Sequence, residues 1–309
     1  MTTTIAPPHP TSRSSFTPGD VGLFLLLAAS WGMSFVFIKV SVGALSPLWV
    51  VAVRTTVGGL ILLVILRARG GRLPRDRTVW AHLFVLATIG NAVPWALVAW
   101  AQQTIPSGLA AVVNSLVPAS TLAVAAAVGV ERLTLRRVAG LALAVVGTLI
   151  VVGGEVGAPG RLLSIVILAG ATVLYGAATV YAKRFVSDHV RPLTIATGQV
   201  ALAAVASIPV AWIAGPTPQW TELAPSVVVS MLLLGAFGTG IAFLLYYLLI
   251  GRVGPTNTTM VTYLIPVVGL AAGALVLGER FGLHVLAGLA VIVAGIWLAQ
   301  RRAAPPPAA

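Results

Sequence analysis

Two basic residues stand inside apolar text. Arg54 lies seven residues beyond Pro47 in PLWVVAVRTTVGGLILLVIL, and Lys39 closes WGMSFVFIK. At 1.5 Å per residue, Arg54 falls about 10 Å into a helix that starts near Pro47. An arginine at the centre of a membrane helix costs roughly 2.5–3.5 kcal/mol, so this guanidinium is expected to face protein or water. Two roles are open to it. It could receive a carboxylate or phosphate at the outer mouth of a bundle, or bond backbone carbonyls where the first two helices meet. Lys39 sits nearer its helix end and is expected to snorkel to the outer surface.

Other chemistry is sparse. Asp20, Asp76, Glu131, Glu155, Asp188, Glu222 and Glu279 all fall in loops or at helix ends. His9, His82, His189 and His284 form no ligand-spaced cluster, and there is no cysteine. No metal, no cofactor and no enzymatic motif is therefore expected. An intramembrane transferase would want metal-binding acids at the membrane edge, and seven scattered acids do not supply them. Polar and aromatic residues within apolar runs are the remaining candidates. Trp31, Asn91, Trp95, Asn114, Tyr175, Gln199, Tyr246 and Tyr263 are expected to line a cavity or to bond between helices, because a polar group in lipid needs a partner. Pro118 and Pro266 interrupt the helical ladder and are candidate hinges or static kinks.

The elements that must carry these residues follow from composition. The chain has 309 residues, 58% hydrophobic and only 8% charged, which leaves too little polar surface for a water-soluble globule. Apolar runs recur at 21–41, 47–66, 79–101, 106–128, 135–153, 162–182, 192–213, 224–248, 254–277 and 283–300. Each suits one span, so the fold class is an all-α polytopic membrane protein of ten helices whose partner is the lipid bilayer. The net charge of +12 comes from arginines in bursts between runs, as in RARGGRLPRDR, and excludes a phosphate-binding face for nucleic acid. With the N-terminus inside, fifteen basic residues fall in cytoplasmic segments and two, Arg161 and Arg280, fall outside. Both termini are thus expected in the cytoplasm, with residues 1–20 and 301–309 as tails and the plasma membrane as location. The first run continues to Ile38, so it reads as a retained helix rather than a cleaved signal.

The text is also written twice. Residues 110–150 set against 258–298 match at 16 of 41 positions without a gap, including Pro118/Pro266, Glu131/Glu279, Gly140/Gly288 and Gly147/Gly295. Trp31-Gly32 and Lys39 align with Tyr175-Gly176 and Lys183, and Asn114 aligns with Thr262. Residues 21–153 and 161–300 therefore form two copies of a five-helix unit. Because five is odd, the second copy enters the membrane from the opposite side, giving an inverted repeat around a central cavity. The Glu-Arg pairs that close VPASTLAVAAAVGVER and IPVVGLAAGALVLGER are expected to fix a turn, with Arg on the last carbonyls and Glu free to pair.

The WG-x-x-F-x-x-x-K pattern, Pro47 followed by Arg54, the two GER-like endings and the G-x6-G final helices resemble EamA-type members of the drug/metabolite transporter superfamily. The resemblance covers about residues 22–300; one departure is VER in the first copy. It implies a central cavity built from both halves and export of amino acids, other small metabolites or drugs. A lipid or polyprenyl-lipid flippase of the same fold is the alternative. Without a mid-span carboxylate, facilitated diffusion or exchange is expected over proton or sodium coupling.

Overall fold

In a computed structural model, residues 17–131, 134–154, 159–187, 190–253, 258 and 260–300 are described. The expected tails, apart from residues 17–20, lie outside these residues, as do Arg132, Glu155, Asp188, His189 and Asn257. Ten helices follow in order: α1 (Pro18–Val42), α2 (Pro47–Ala68), α3 (Arg77–Ala101), α4 (Ser107–Ala127), α5 (Leu135–Gly153), α6 (Arg161–Phe185), α7 (Pro192–Ala214), α8 (Pro225–Val253), α9 (Val261–Leu277) and α10 (Leu283–Gln300). By length and composition α1 to α8 can each cross a membrane, and α9 and α10 are shorter apolar helices. Leu60, Val64, Val145, Leu149, Ile213, Leu275 and Val276 point outward, an apolar exterior suited to lipid.

Starts and stops follow local chemistry. Pro47, Pro192 and Pro225 open their helices, where a missing N–H costs nothing. The first helix begins at Pro18, earlier than the expected limit of the tail at residue 20. Thr17 Oγ1 accepts from the Asp20 amide at 3.3 Å and Asp20 Oδ2 accepts from the Thr17 amide at 3.1 Å, a reciprocal cap. The expected eighth run, 224–248, continues to Val253.

Two irregularities have no hydropathy signal. Helix α3 widens to a π-helix over Ala87–Ala92, and α8 does so over Ala236–Ile241. Each is the third helix of its copy. Helix α4 is broken into Ser107–Asn114 and Val117–Ala127, so Pro118 opens the second segment, whereas Pro266 lies inside a continuous α9.

Packing pairs one copy with the other. Helix α1 lies on α9, α2 on α7, α4 on α6 and α5 on α10. The contacts exchange between copies. A methyl added to Gly32 of α1 would stand 2.5 Å from Val268 Cβ of α9; one added to Gly176, its counterpart in α6, would stand 2.8 Å from the Thr121 nitrogen of α4. Between α5 and α10 the reciprocity is closer still. A methyl on Gly140 would meet the Gly295 oxygen at 2.5 Å, and one on Gly295 would meet the Gly140 oxygen at 2.6 Å. Gly147 and Gly288 oppose each other in the same way, at 2.7 Å both ways.

Lipid tails are as apolar as leucine, so such helices associate by close van der Waals contact, and the glycines permit it. Gly147→Ala and Gly288→Ala should each lower stability by about 1–3 kcal/mol, the usual cost of overpacking. Gly170→Ala, where an added methyl meets nothing within 4 Å, should gain about 0.5–1 kcal/mol of helix propensity. Thermal unfolding in detergent separates the two classes.

Candidate functional site

Arg54 is 7% exposed and held from three directions. Its Nε donates to Thr239 Oγ1 at 2.9 Å, and its Nη2 donates to the Gly238 carbonyl at 3.3 Å. Its Cζ lies 3.9 Å from the ring centroid of Trp95, a cation–π stack. The Tyr175 hydroxyl stands beside the Trp95 indole N–H and within electrostatic reach of the guanidinium. Four helices thus meet at one charge: α2 and α3 from the first copy, α6 and α8 from the second.

The widened segment of α8 makes this possible. In a π turn the backbone bonds i to i+5, and such bulges occur often at functional sites. Here the bulge carries Gly238 and Thr239, which present a carbonyl and a hydroxyl to Arg54 as adjacent acceptors. Close approach of α2 to α8 needs glycine: a methyl on Gly58 would stand 2.6 Å from Thr239 Cγ2, and one on Gly235 would stand 2.5 Å from Val57 Cβ.

The second copy repeats the scheme without the charge. Gln199 lies seven residues beyond Pro192, as Arg54 does beyond Pro47. It sits on α7, which packs on the widened segment of α3. That segment carries Asn91, 2% exposed, whose Nδ2 has no hydrogen-bond partner among the described residues. Gln199 is 9% exposed and its amide likewise makes no hydrogen bond among them.

Several expected site residues are brought together. Trp95, Tyr175 and Tyr247 share one apolar cluster with Val51, Leu62 and Val200. Trp31 of α1 meets Tyr246 with ring centroids 5.5 Å apart, and Tyr246 meets Tyr247 at 5.3 Å. Asn114 ends the first segment of α4, half-buried. Tyr263 stands elsewhere, lining an open apolar groove of about 520 Å³ between α9 and α10 with Val267, Val293 and Trp297.

Three expectations need correction. Arg54 is not at the mouth of the bundle: its head reaches Thr239, at the middle of the 29-residue α8, and Tyr175, near the middle of the 25-residue α6. Its carbonyl partner belongs to α8, not to the junction of the first two helices. Lys39 does not snorkel to the surface. Its Nζ donates to the Gln102 carbonyl at 2.7 Å and the Ile105 carbonyl at 3.0 Å, because the α3–α4 turn folds across the end of α1. Lys39→Met should cost about 1–3 kcal/mol by leaving those carbonyls unbonded, read from thermal unfolding. Finally, Arg280 is exposed and bonds no carbonyl among the described residues. Gly278, with φ +66°, turns the chain so that the Glu279 amide reaches the Gly273 carbonyl at 3.0 Å.

Glu279 itself does something the sequence did not suggest. Its carboxylate accepts from the Ser107 amide at 2.6 Å, the Ser107 hydroxyl at 3.0 Å and the Gly108 amide at 3.0 Å. It caps the N-terminus of α4, in the other copy, and lies within electrostatic range of Lys39. The counterparts behave otherwise: Glu131 pairs with Arg137 at 3.0 Å near the surface, and Lys183 is exposed with no hydrogen bond among the described residues. The roles of Thr239 and Glu279 were missed because their partners lie 185 and 172 residues away; the GAFGTG run and the Gly58-Gly59 pair were hints of a close helix crossing.

The model of the EamA-like transporter family matches residues 20–153 and again 162–300. The chain belongs to this family. Relatives of this EamA chain include an uncharacterized transporter of Archaeoglobus fulgidus, 26% identical over 90% of this chain and 97% of its own. The uncharacterized inner membrane transporter YedA of Escherichia coli K12 is 29% identical over 90% and 89%. A probable amino-acid metabolite efflux pump of the same strain is 26% identical over 90% and 94%. A solved crystal structure shares the fold, with TM-score 0.65, 21% identity and coverage of 91% and 97%. This EamA protein is a multi-pass membrane transporter. Among the described residues no group of three or more His, Asp or Glu could hold a metal.

Proposed function

We propose that this transporter exports amino acids or other small metabolites across the plasma membrane, by alternating access between two inverted five-helix halves with both termini in the cytoplasm. The observation that carries this reading is the placement of Arg54. A buried charge from the first copy is held by the widened helix of the second, where both halves meet, as expected of a midplane binding site between repeats. The exchanged contacts of α1 with α9 and α4 with α6 relate the copies by a pseudo-two-fold, and the odd number of helices per copy is what supports inversion. The relative named as a probable amino-acid metabolite efflux pump supports the cargo class. Guanidinium, amide and phenol groups around the centre suit a small polar cargo better than a lipid chain.

The test is untargeted metabolomics of medium and cytosol from cells with and without the protein. Each pool that shifts is then assayed as flux in proteoliposomes. A metabolite that leaves expressing cells and crosses liposomes only with protein present is the expected result. No shifted pool across broad chemistry would sink the exporter reading.

A further inference from the structure

We infer that Arg54 is a seat for the carboxylate of the cargo, so that the site takes small organic anions and zwitterions and turns away cations. This rests on the transporter reading and assigns its site one chemical contact. The guanidinium has two planar edges able to hold a carboxylate. The edge formed by Nε and Nη2 is taken: Thr239 Oγ1 and the Gly238 carbonyl, adjacent on the widened turn of α8, occupy it at 2.9 and 3.3 Å. The end-on edge, formed by Nη1 and the second N–H of Nη2, makes no hydrogen bond among the described residues. The Trp95 ring covers the guanidinium carbon at 3.9 Å, so with the two bonds on the other edge the group is held in place. The end-on edge is therefore held as well as free, and a guanidinium edge of two parallel N–H groups is what bidentate recognition of a carboxylate needs.

Charge balance points to the same ligand. The two ion pairs with described partners, Arg252 with Asp20 and Arg137 with Glu131, lie at the ends of helices. Among the described residues no carboxylate faces Arg54, and its nearest ionisable neighbour is the Tyr175 phenol. A buried charge left without a counter-charge is costly, and a carboxylate arriving between the halves supplies one. Gln199, as far beyond Pro192 as Arg54 is beyond Pro47, carries no charge. A single cation, not a pair, sets the polarity of the centre. Tyr247 shares the apolar cluster of Trp95, and Tyr246 and Trp31 follow it ring against ring, a surface that favours a carboxylate with an alkyl or aryl body.

The experiment is titration calorimetry on the purified full chain in nanodiscs. The probes are butyrate and phenylacetate, each paired with its neutral amide, with phenethylamine as the cation. Wild type should bind at least one carboxylate ten-fold or more tightly than its amide, and phenethylamine no better than the amides. Arg54→Gln should erase the preference, while Arg54→Lys should keep a weaker one, because a point charge replaces a fork. If Arg54→Gln does not fold, Arg54→Lys and Thr239→Val decide, each expected to weaken carboxylate binding at least three-fold with amide binding unchanged. The inference is overturned by equal or undetectable binding of both carboxylates and amides, by a preference that survives Arg54→Gln, or by unaltered carboxylate binding in both fallback variants. Liposome flux of the metabolomic hits is read separately. A carboxylate preference without flux sinks the transporter reading and leaves the seat. Flux without the preference does the reverse.

Discussion

Glu279→Gln should open one end of the bundle. The carboxylate receives three hydrogen bonds from Ser107 and Gly108 at the positive end of a helix. Hydrogen bonds to a charged group contribute about 1.5–3 kcal/mol each, and a lost N-cap costs about 0.5–2. Glutamine keeps one acceptor oxygen but turns an NH2 toward the remaining donors, so about 2–3 kcal/mol of the contact between copies should vanish. Ile105, 0% exposed beneath this clasp, provides the readout. The chain has no cysteine, so Ile105→Cys introduces a unique thiol. It should resist maleimide in an otherwise wild-type chain and label readily with Glu279→Gln. Equal labelling in both would refute the clasp. Glu131→Gln should cost no more than about 0.5 kcal/mol, since its partner Arg137 is a third exposed and surface pairs contribute little. Among the described residues, then, one of two equivalent glutamates clasps the other copy and the other pairs only with its own.

Gly235→Ala should damage the centre from a distance. A methyl there stands 2.5 Å from Val57 Cβ and 3.3 Å from the Arg54 carbonyl, so α2 and α8 must separate by several tenths of an ångström. The overpacking costs about 1–3 kcal/mol. Separation also draws Thr239 away from Arg54, whose Nε bond is 2.9 Å long. Protein that still folds should therefore lose at least ten-fold in transport of whichever metabolite the liposomes identify. Gly251→Ala, in the same helix with nothing within 4 Å of the added methyl, is the control and should transport as wild type.

What could be read without coordinates was set by apolar length and by repetition. Ten runs of near-bilayer length gave ten helices, and Pro47, Pro192 and Pro225 marked helix starts because proline costs nothing there. Arg54 announced itself through the cost of burying it. Its depth was misjudged because the side chain points inward toward α8, and counting residues along α2 cannot show that. The widened turns of α3 and α8 left no trace: one extra residue per turn changes neither hydropathy nor composition. Lys39 was assigned to the surface on helix-end chemistry alone, which is right when no loop crosses the end and wrong when the Gln102 and Ile105 carbonyls do. Glu279 was placed at its turn, but its partners could not be named, since its donors belong to the other copy.

The seam between α5 and α10 has a consequence for ancestry. Gly140 meets Gly295 and Gly147 meets Gly288, while in the duplicated text Gly140 corresponds to Gly288 and Gly147 to Gly295. The face is complementary to itself, as in a two-fold dimer. One five-helix unit, made as a separate polypeptide, would already carry both sides of the joint and could dock with a second copy across the same two-fold. Fusion of two such genes would then add connectivity to a partnership that existed before it, and a chain severed between the copies should hold together through the same four glycines.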